Sequence, residues 1–302
     1  MEADLVLRAV LLPAAQAYFM IAVLAAVAGR SARRSPVRST ATGFTWLPLA
    51  AALPAVLSYA QQEGAAGLSW PPAVAFNWTW VALSLAALST VALAPAPAVV
   101  RSVLPAFLAL SVVVPPGYAD PGGRLLAAAI VGAASFAASS ARGTRESAGA
   151  SEHVAWWLVF GIASAMALLS GFAKLSFVIA SLSAAASMLA LISPWMPRLR
   201  PDGASTAASA CALGVLCFLG LGYDESGFPW WSWALLACAP AGLAVRGFAW
   251  GSPRARALAV IAVPTLLALL ALVLALGWTG AFARFGQPAE PDRDVYGLRT
   301  EP

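Results

Sequence analysis

Few side chains in this chain of 302 residues have the chemistry that catalysis or metal binding requires. The single histidine is His153, and the three cysteines, Cys211, Cys217 and Cys238, lack the Cys-x-x-Cys spacing. One histidine cannot supply the pair that a haem or zinc site needs, and no Gly-x-Ser-x-Gly elbow is present. We therefore expect no enzyme, no cofactor and no metal. A lipid-modifying activity at the membrane surface is the remaining enzymatic alternative.

Five polar residues in or beside apolar segments are the candidates for binding a substrate. They are Gln16, Asn77, Lys174, Ser183 and Ser187. An amide or hydroxyl inside a membrane must find hydrogen-bond partners, so each of these residues either lines a binding site or joins two helices. Lys174, the only lysine, either presents a cation to an anionic substrate or anchors a hairpin by snorkelling.

The composition shows which solvent surrounds these residues. Hydrophobic residues make up 61% of the chain and charged residues 10%, whereas about a quarter of a soluble domain is charged. Too few charges are present to cover a soluble globule, so lipid must solvate most of the chain. The net charge of +5 then reflects arginines at helix ends, and we expect no nucleic-acid partner.

Ten apolar segments have the length that a bilayer crossing requires, about 20 residues. Their limits are 5–29, 43–60, 73–94, 98–118, 123–141, 154–171, 174–196, 204–222, 229–248 and 257–282. This pattern predicts an all-α bundle with ten transmembrane spans in one domain, 1–282. The polar residues 283–302 are predicted to form a short external tail.

Two of the predicted breaks are short. The segment 94–97 contains two prolines, which cannot continue a helix, and 170–174 is the only interruption in an apolar run too long for one span. The fifth and seventh segments are rich in alanine and serine. Small residues let helices approach closely, so we expect both of these helices near the centre of the bundle.

The distribution of charge predicts the orientation. Alternate connections carry twelve of the 18 basic residues, Arg246 among them, whereas the opposite side carries ten of the 13 acidic residues. The positive-inside rule places the arginine-rich connections in the cytoplasm and both termini outside. Arginine greatly outnumbers lysine and alanine is abundant, as a GC-rich genome would give, so we expect a bacterial plasma-membrane protein.

These observations favour a non-enzymatic membrane protein, such as an accessory subunit, because no carboxylate lies inside a predicted span. Its partners would be the bilayer and either another membrane protein or a second copy of the chain. The alternative is a transporter or permease for a small neutral or weakly polar substrate. The five polar residues above would then line its pathway.

Overall fold

The computed structural model describes residues 15–16, 18–19, 23, 47–68, 70, 72, 75–93, 95–113, 121–140, 149–195, 201–248 and 252–280. Every regular element within these ranges is helical. In chain order they are α1 (Leu47–Gly67), a 3-10 turn (Ala75–Trp78), α2 (Thr79–Ala92), α3 (Ala98–Val113), α4 (Pro121–Ser140), α5 (Gly149–Leu169), α6 (Ala173–Ile192), α7 (Gly203–Gly222), α8 (Trp230–Cys238), a 3-10 segment (Ala239–Gly247) and α9 (Pro253–Trp278).

Five of these helices, α4, α5, α6, α7 and α9, are long and apolar enough to cross a membrane. Two shorter apolar helical stretches comprise residues Phe76–Ala92 and Ala98–Ser111. The chain is therefore a membrane protein, and the regular structure of its described residues is all helical. Of the first predicted segment, 5–29, only five residues are described, and these are helical; the predicted tail, 283–302, lies outside the described residues.

Both short breaks predicted from the sequence are confirmed. The helix α2 ends at Ala92 and α3 begins at Ala98, on either side of the two prolines. The helix α5 ends at Leu169 and α6 begins at Ala173, so the run is a tight helical hairpin. Gly171 makes this turn possible with φ of 92°, a backbone conformation that glycine adopts without a steric penalty.

The centre of the bundle differs in part from the expectation. Of the five long helices, α7 is the most enclosed, with 83% of its span buried, followed by α6 with 61%. The small residues of α4 pack on one face only, so 39% of that span is buried, and Leu125 and Leu126 are exposed. Small residues permit close packing on a face, but they do not require the whole helix to be surrounded.

The helix α8 changes to 3-10 geometry at Ala239, immediately before Pro240. Proline has no amide hydrogen, so it cannot donate the bond that would continue the α-helix. A 3-10 helix rises about 2.0 Å per residue, compared with 1.5 Å in an α-helix. Nine residues of 3-10 helix therefore carry the chain farther along the bundle, and Arg246 lies in the last turn of this segment.

Candidate functional site

Two buried charged residues form an ion pair between α5 and the 3-10 segment. Arg246 Nη1 donates to Glu152 Oε2 over 2.5 Å, and their side chains are 8% and 1% exposed. Arg246 Nη2 donates to the main-chain carbonyl of Ala138, and the hydroxyl of Thr206 lies within hydrogen-bond distance of Glu152 Oε1. We call these three side chains and the Ala138 carbonyl the Glu152–Arg246 network.

The helix ends around the network have the polarity that these charges need. Glu152 lies in the first turn of α5, where the helix dipole favours an anion. Ala138 lies in the last turn of α4, where carbonyls lack intrahelical partners and a cation is favoured. A buried charge is stable only when it is paired and hydrogen-bonded. The network pairs the two charges and joins α4, α5, α7 and the 3-10 segment, while Arg246 Nε has no hydrogen-bond partner among the described residues.

Further polar contacts surround the network at the same end of the bundle. Asp202 caps α7 by accepting from the amide of Ser205 over 2.7 Å, and the Ser205 hydroxyl accepts from the Asp202 amide. The guanidinium of Arg101 lies against Gly203, where it leaves no space for a Cβ atom. We call this end, where α3, α5 and α7 begin and α4 ends, the arginine end.

A small cavity, which we call the central cavity, lies beside the network, between α1, α2, α5, α6 and α7. Its volume is about 50 Å³, and its walls are mostly apolar. The polar groups that line it include His153, Trp156, Ser205 and Ser209. Trp156 is buried, and its Nε1 has no hydrogen-bond partner among the described residues. A water needs about 10–15 Å³ of such space, so the cavity has room for a few waters and is too small for most metabolites.

The amide predicted from the sequence in the third segment has a structural partner. Asn77 Oδ1 accepts from the Tyr59 hydroxyl over 2.7 Å, and both residues are buried. The same hydroxyl lies 3.1 Å from the carbonyl oxygen of Gly67. The ring of Tyr59 also packs against Phe76 at 5.3 Å between centroids. Asn77 therefore joins α1 to the 3-10 turn before α2.

Lys174 and Gln16 also have partners on other helices. Lys174 Nζ forms an ion pair with Glu63 Oε1 at 2.6 Å, with the lysine side chain 56% exposed. Gln16 Oε1 accepts from Gln61 Nε2 over 2.7 Å. Exposed pairs of this kind contribute little to stability, about 0–1 kcal/mol. The Lys174–Glu63 pair nevertheless places the hairpin between α5 and α6 beside the end of α1.

The two serines predicted on α6 form hydrogen bonds between helices. The Ser183 hydroxyl donates to the main-chain carbonyl of Trp157 over 2.8 Å. The Ser187 hydroxyl lies 2.6 Å from the hydroxyl of Tyr18. Neither serine lines the central cavity, and the same is true of Gln16, Asn77 and Lys174. The five predicted residues therefore have five different partners, and the structure does not bring them together around the central cavity.

The sequence analysis missed the Glu152–Arg246 network. It counted Arg246 with the arginines that define orientation, although the residue falls inside the predicted segment 229–248. An arginine within an apolar segment is expensive unless it is paired, and this was the available signal. Glu152 was placed just before its predicted segment, but α5 begins at Gly149 and contains it.

The chemistry available to this network is limited. Both carboxylate oxygens of Glu152 already accept hydrogen bonds, one from Arg246 and one from Thr206. In the part of the chain that the structure describes, no three His, Cys, Asp or Glu residues come together to hold a metal ion. Comparisons with protein-family models, with curated proteins and with solved structures found no match to this chain.

Proposed function

We propose that this chain is a non-enzymatic, multi-pass membrane protein with an accessory role beside another membrane protein. One observation carries the proposal: the five predicted candidates are bonded to groups of other helices, and none of the five lines the central cavity. Hydrogen bonds of this kind contribute to the packing of membrane helices. They leave few polar groups for a substrate.

The proposal includes ten spans, both termini outside and a location in the bacterial plasma membrane. Two sets of contacts support the alternation of the connections between the two ends of the bundle. Arg101 meets Gly203 and Arg246 meets Glu152, so connections that the charge count assigns to the cytoplasm lie at one end of the bundle. The Lys174–Glu63 pair joins two connections that the count assigns to the outside.

We expect a reporter fused after residue 302 to be active outside the cytoplasm. An even number of spans places both termini on the same side of the membrane. The arginine-rich connections lie on the other side, which the positive-inside rule assigns to the cytoplasm. Alkaline phosphatase and a fluorescent protein that folds only in the cytoplasm would be fused separately at this position. Phosphatase activity without fluorescence agrees with the ten-span topology, whereas fluorescence alone would refute it.

A transporter or permease for a small neutral or weakly polar substrate is the second candidate. It is favoured by Trp156, which lines the central cavity and whose Nε1 has no hydrogen-bond partner in the part of the chain that the structure describes. A transporter must open such a cavity to each side of the membrane in turn. An accessory protein has no such requirement, so access to the cavity distinguishes the two functions.

We expect a cysteine in the wall of the central cavity not to react with a charged thiol reagent added from outside. Ser209→Cys supplies this cysteine, in a background in which Cys211, Cys217 and Cys238 are replaced by alanine. The matched control is Ala210→Cys on the same helix, which is buried and does not line the cavity. Labelling is measured in right-side-out and inside-out vesicles.

Lys174→Cys, at an exposed position, shows that the reagent reaches the outer face. If Ser209→Cys reacts from both sides while Ala210→Cys reacts from neither, the cavity alternates between the two sides. That result would replace the accessory role with the transporter. If Ser209→Cys reacts from the arginine end alone or from neither side, the accessory role is supported.

A further inference from the structure

The 3-10 segment Ala239–Gly247 is longer than 3-10 helices usually are. Runs of more than about four residues are uncommon, because the hydrogen bonds of a 3-10 helix have poorer geometry than those of an α-helix. This segment keeps the 3-10 geometry for nine residues. Pro240 explains why α8 ends, but it does not explain why the residues after it stay 3-10, since proline is well tolerated at the first position of a new α-helix.

The amino acids that follow Pro240 favour an α-helix. Four of them belong to the types with the highest α-helix propensity. They are Ala241, Leu243, Ala244 and Arg246. Between Pro240 and Arg246, only Gly242 carries a large cost in an α-helix, about 1 kcal/mol. The local sequence and the observed geometry therefore disagree, which indicates that contacts with other helices hold the segment in its 3-10 form.

Two contacts with other helices hold the segment, one near each end. Near its start, Gly242 lies against the backbone of α9, where a Cβ atom would be 2.8 Å from the nitrogen of Pro264. Near its end, Arg246 donates to Glu152 and to the main-chain carbonyl of Ala138. The first contact involves no side chain of the segment. The ion pair is therefore the contact that depends on charge, and it fixes the far end.

The buried face of the segment has the repeat of a 3-10 helix. Pro240, Leu243 and Arg246 are all buried, and residues three apart lie in line when each residue turns by about 120°. In an α-helix each residue turns by about 100° and rises 0.5 Å less, about 1.5 Å. Over the six residues from Pro240 to Arg246 the differences amount to about 120° and about 3 Å. An α-helical segment would therefore carry the guanidinium away from Glu152.

We propose that the 3-10 segment is a two-state element, held in the 3-10 form by the Glu152–Arg246 ion pair and α-helical when that pair is lost. The ion pair favours the 3-10 form only while both charges are present, whereas propensity and hydrogen-bond geometry favour the α-helix. The change shortens the segment by about 3 Å and so moves its end at the arginine end of the bundle. This proposal does not depend on the accessory role, because the central cavity takes no part.

The length of the segment can be measured between two spin labels on the purified full-length protein in lipid nanodiscs. Trp230→Cys and Phe248→Cys carry the labels, because both positions are exposed and lie on either side of the segment. The three native cysteines are replaced by alanine. Double electron–electron resonance then gives the distance between the labels. A second pair, Leu258→Cys and Trp278→Cys, is exposed on α9 and reports on a helix that is not expected to change.

Glu152→Gln combined with Arg246→Met removes the ion pair without leaving one buried charge alone. We expect the distance between positions 230 and 248 to be about 3 Å shorter in this double variant than in the protein with the pair intact. The distance between positions 258 and 278 should stay the same. Arg254→Met is the matched control, because Arg254 is exposed, and it should change neither distance.

Three results would overturn the proposal or decide it by a second route. An unchanged distance between positions 230 and 248 in the folded double variant would show that the ion pair does not hold the 3-10 form. An equal shortening on α9 would show that the change is not a property of the segment. If the double variant does not fold, Glu152→Gln alone, which keeps the size of the side chain and removes its charge, decides by the same distance.

Discussion

Arg246→Met is expected to lower the free energy of unfolding by about 3–5 kcal/mol, because it leaves the buried carboxylate of Glu152 without its counterion. The stability of a typical domain is only about 5–15 kcal/mol, so much of the protein should fail to accumulate in folded form. The substitution also removes the donor to the Ala138 carbonyl. The unfolding transition of the purified protein in detergent, followed by tryptophan fluorescence, measures the effect.

The interpretation depends on comparison with two further variants. Glu152→Gln combined with Arg246→Met removes both charges, and replacing a whole buried pair by neutral groups is often close to neutral. We therefore expect the double variant to be more stable than Arg246→Met alone. Arg254→Met is the matched control, because Arg254 is exposed in the first turn of α9. If Arg246→Met unfolds like the control, the ion pair contributes nothing to the fold.

The network also explains why the arginine end holds together. Short connections alone do not fix how these helix ends pack, and the hydrophobic contacts that fill most of the bundle's interior are not directional. A guanidinium that donates to one carboxylate and one carbonyl has a single geometry. Thr206 adds the central helix α7 to this arrangement. The pair therefore specifies the register of these helices in addition to any stability it adds.

The helices and their breaks could be predicted from the sequence because each depends on local properties. A run of about 20 apolar residues has no stable place except in lipid, and two prolines between Ala94 and Pro97 end a helix whatever surrounds them. The capping box of Asp202 and Ser205 is equally local, since its two residues are three positions apart. The number of spans and their orientation rest on counts of apolar segments and of charged residues in the connections, and both remain predictions.

The pairing of Glu152 with Arg246 could not be predicted in the same way, because 94 positions separate the two residues. An arginine near a helix end usually extends to the headgroups, and only the tertiary packing shows that this one turns inward. The partners of the candidate polar residues could not be predicted for the same reason. Asn77 and Ser183 each had two interpretations in the sequence, and their partners, Tyr59 and the carbonyl of Trp157, identify the contacts between helices that they make.

Gly242→Ala is expected to have the second-largest effect, a loss of about 1–3 kcal/mol from overpacking. A Cβ atom at Gly242 would lie 2.8 Å from the main-chain nitrogen of Pro264 and 3.0 Å from its Cα. Both atoms belong to the backbone of α9, so no side-chain rotation can relieve the clash. The 3-10 segment would have to move away from α9, and this movement would also displace Arg246 from Glu152.

A matched pair of variants tests whether the backbone contact is the cause. In Gly161→Ala the nearest neighbour is Ser183 Oγ at 3.6 Å, an ordinary contact, so the gain in helix propensity should leave stability equal or higher by up to about 1 kcal/mol. Adding Val263→Ala to Gly242→Ala removes a side-chain contact at 3.1 Å but leaves Pro264 in place. We expect the added Val263→Ala substitution to restore little of the stability that Gly242→Ala loses. Full recovery of the unfolding transition would show that the Val263 side chain, and not the backbone of α9, sets the distance between the two elements.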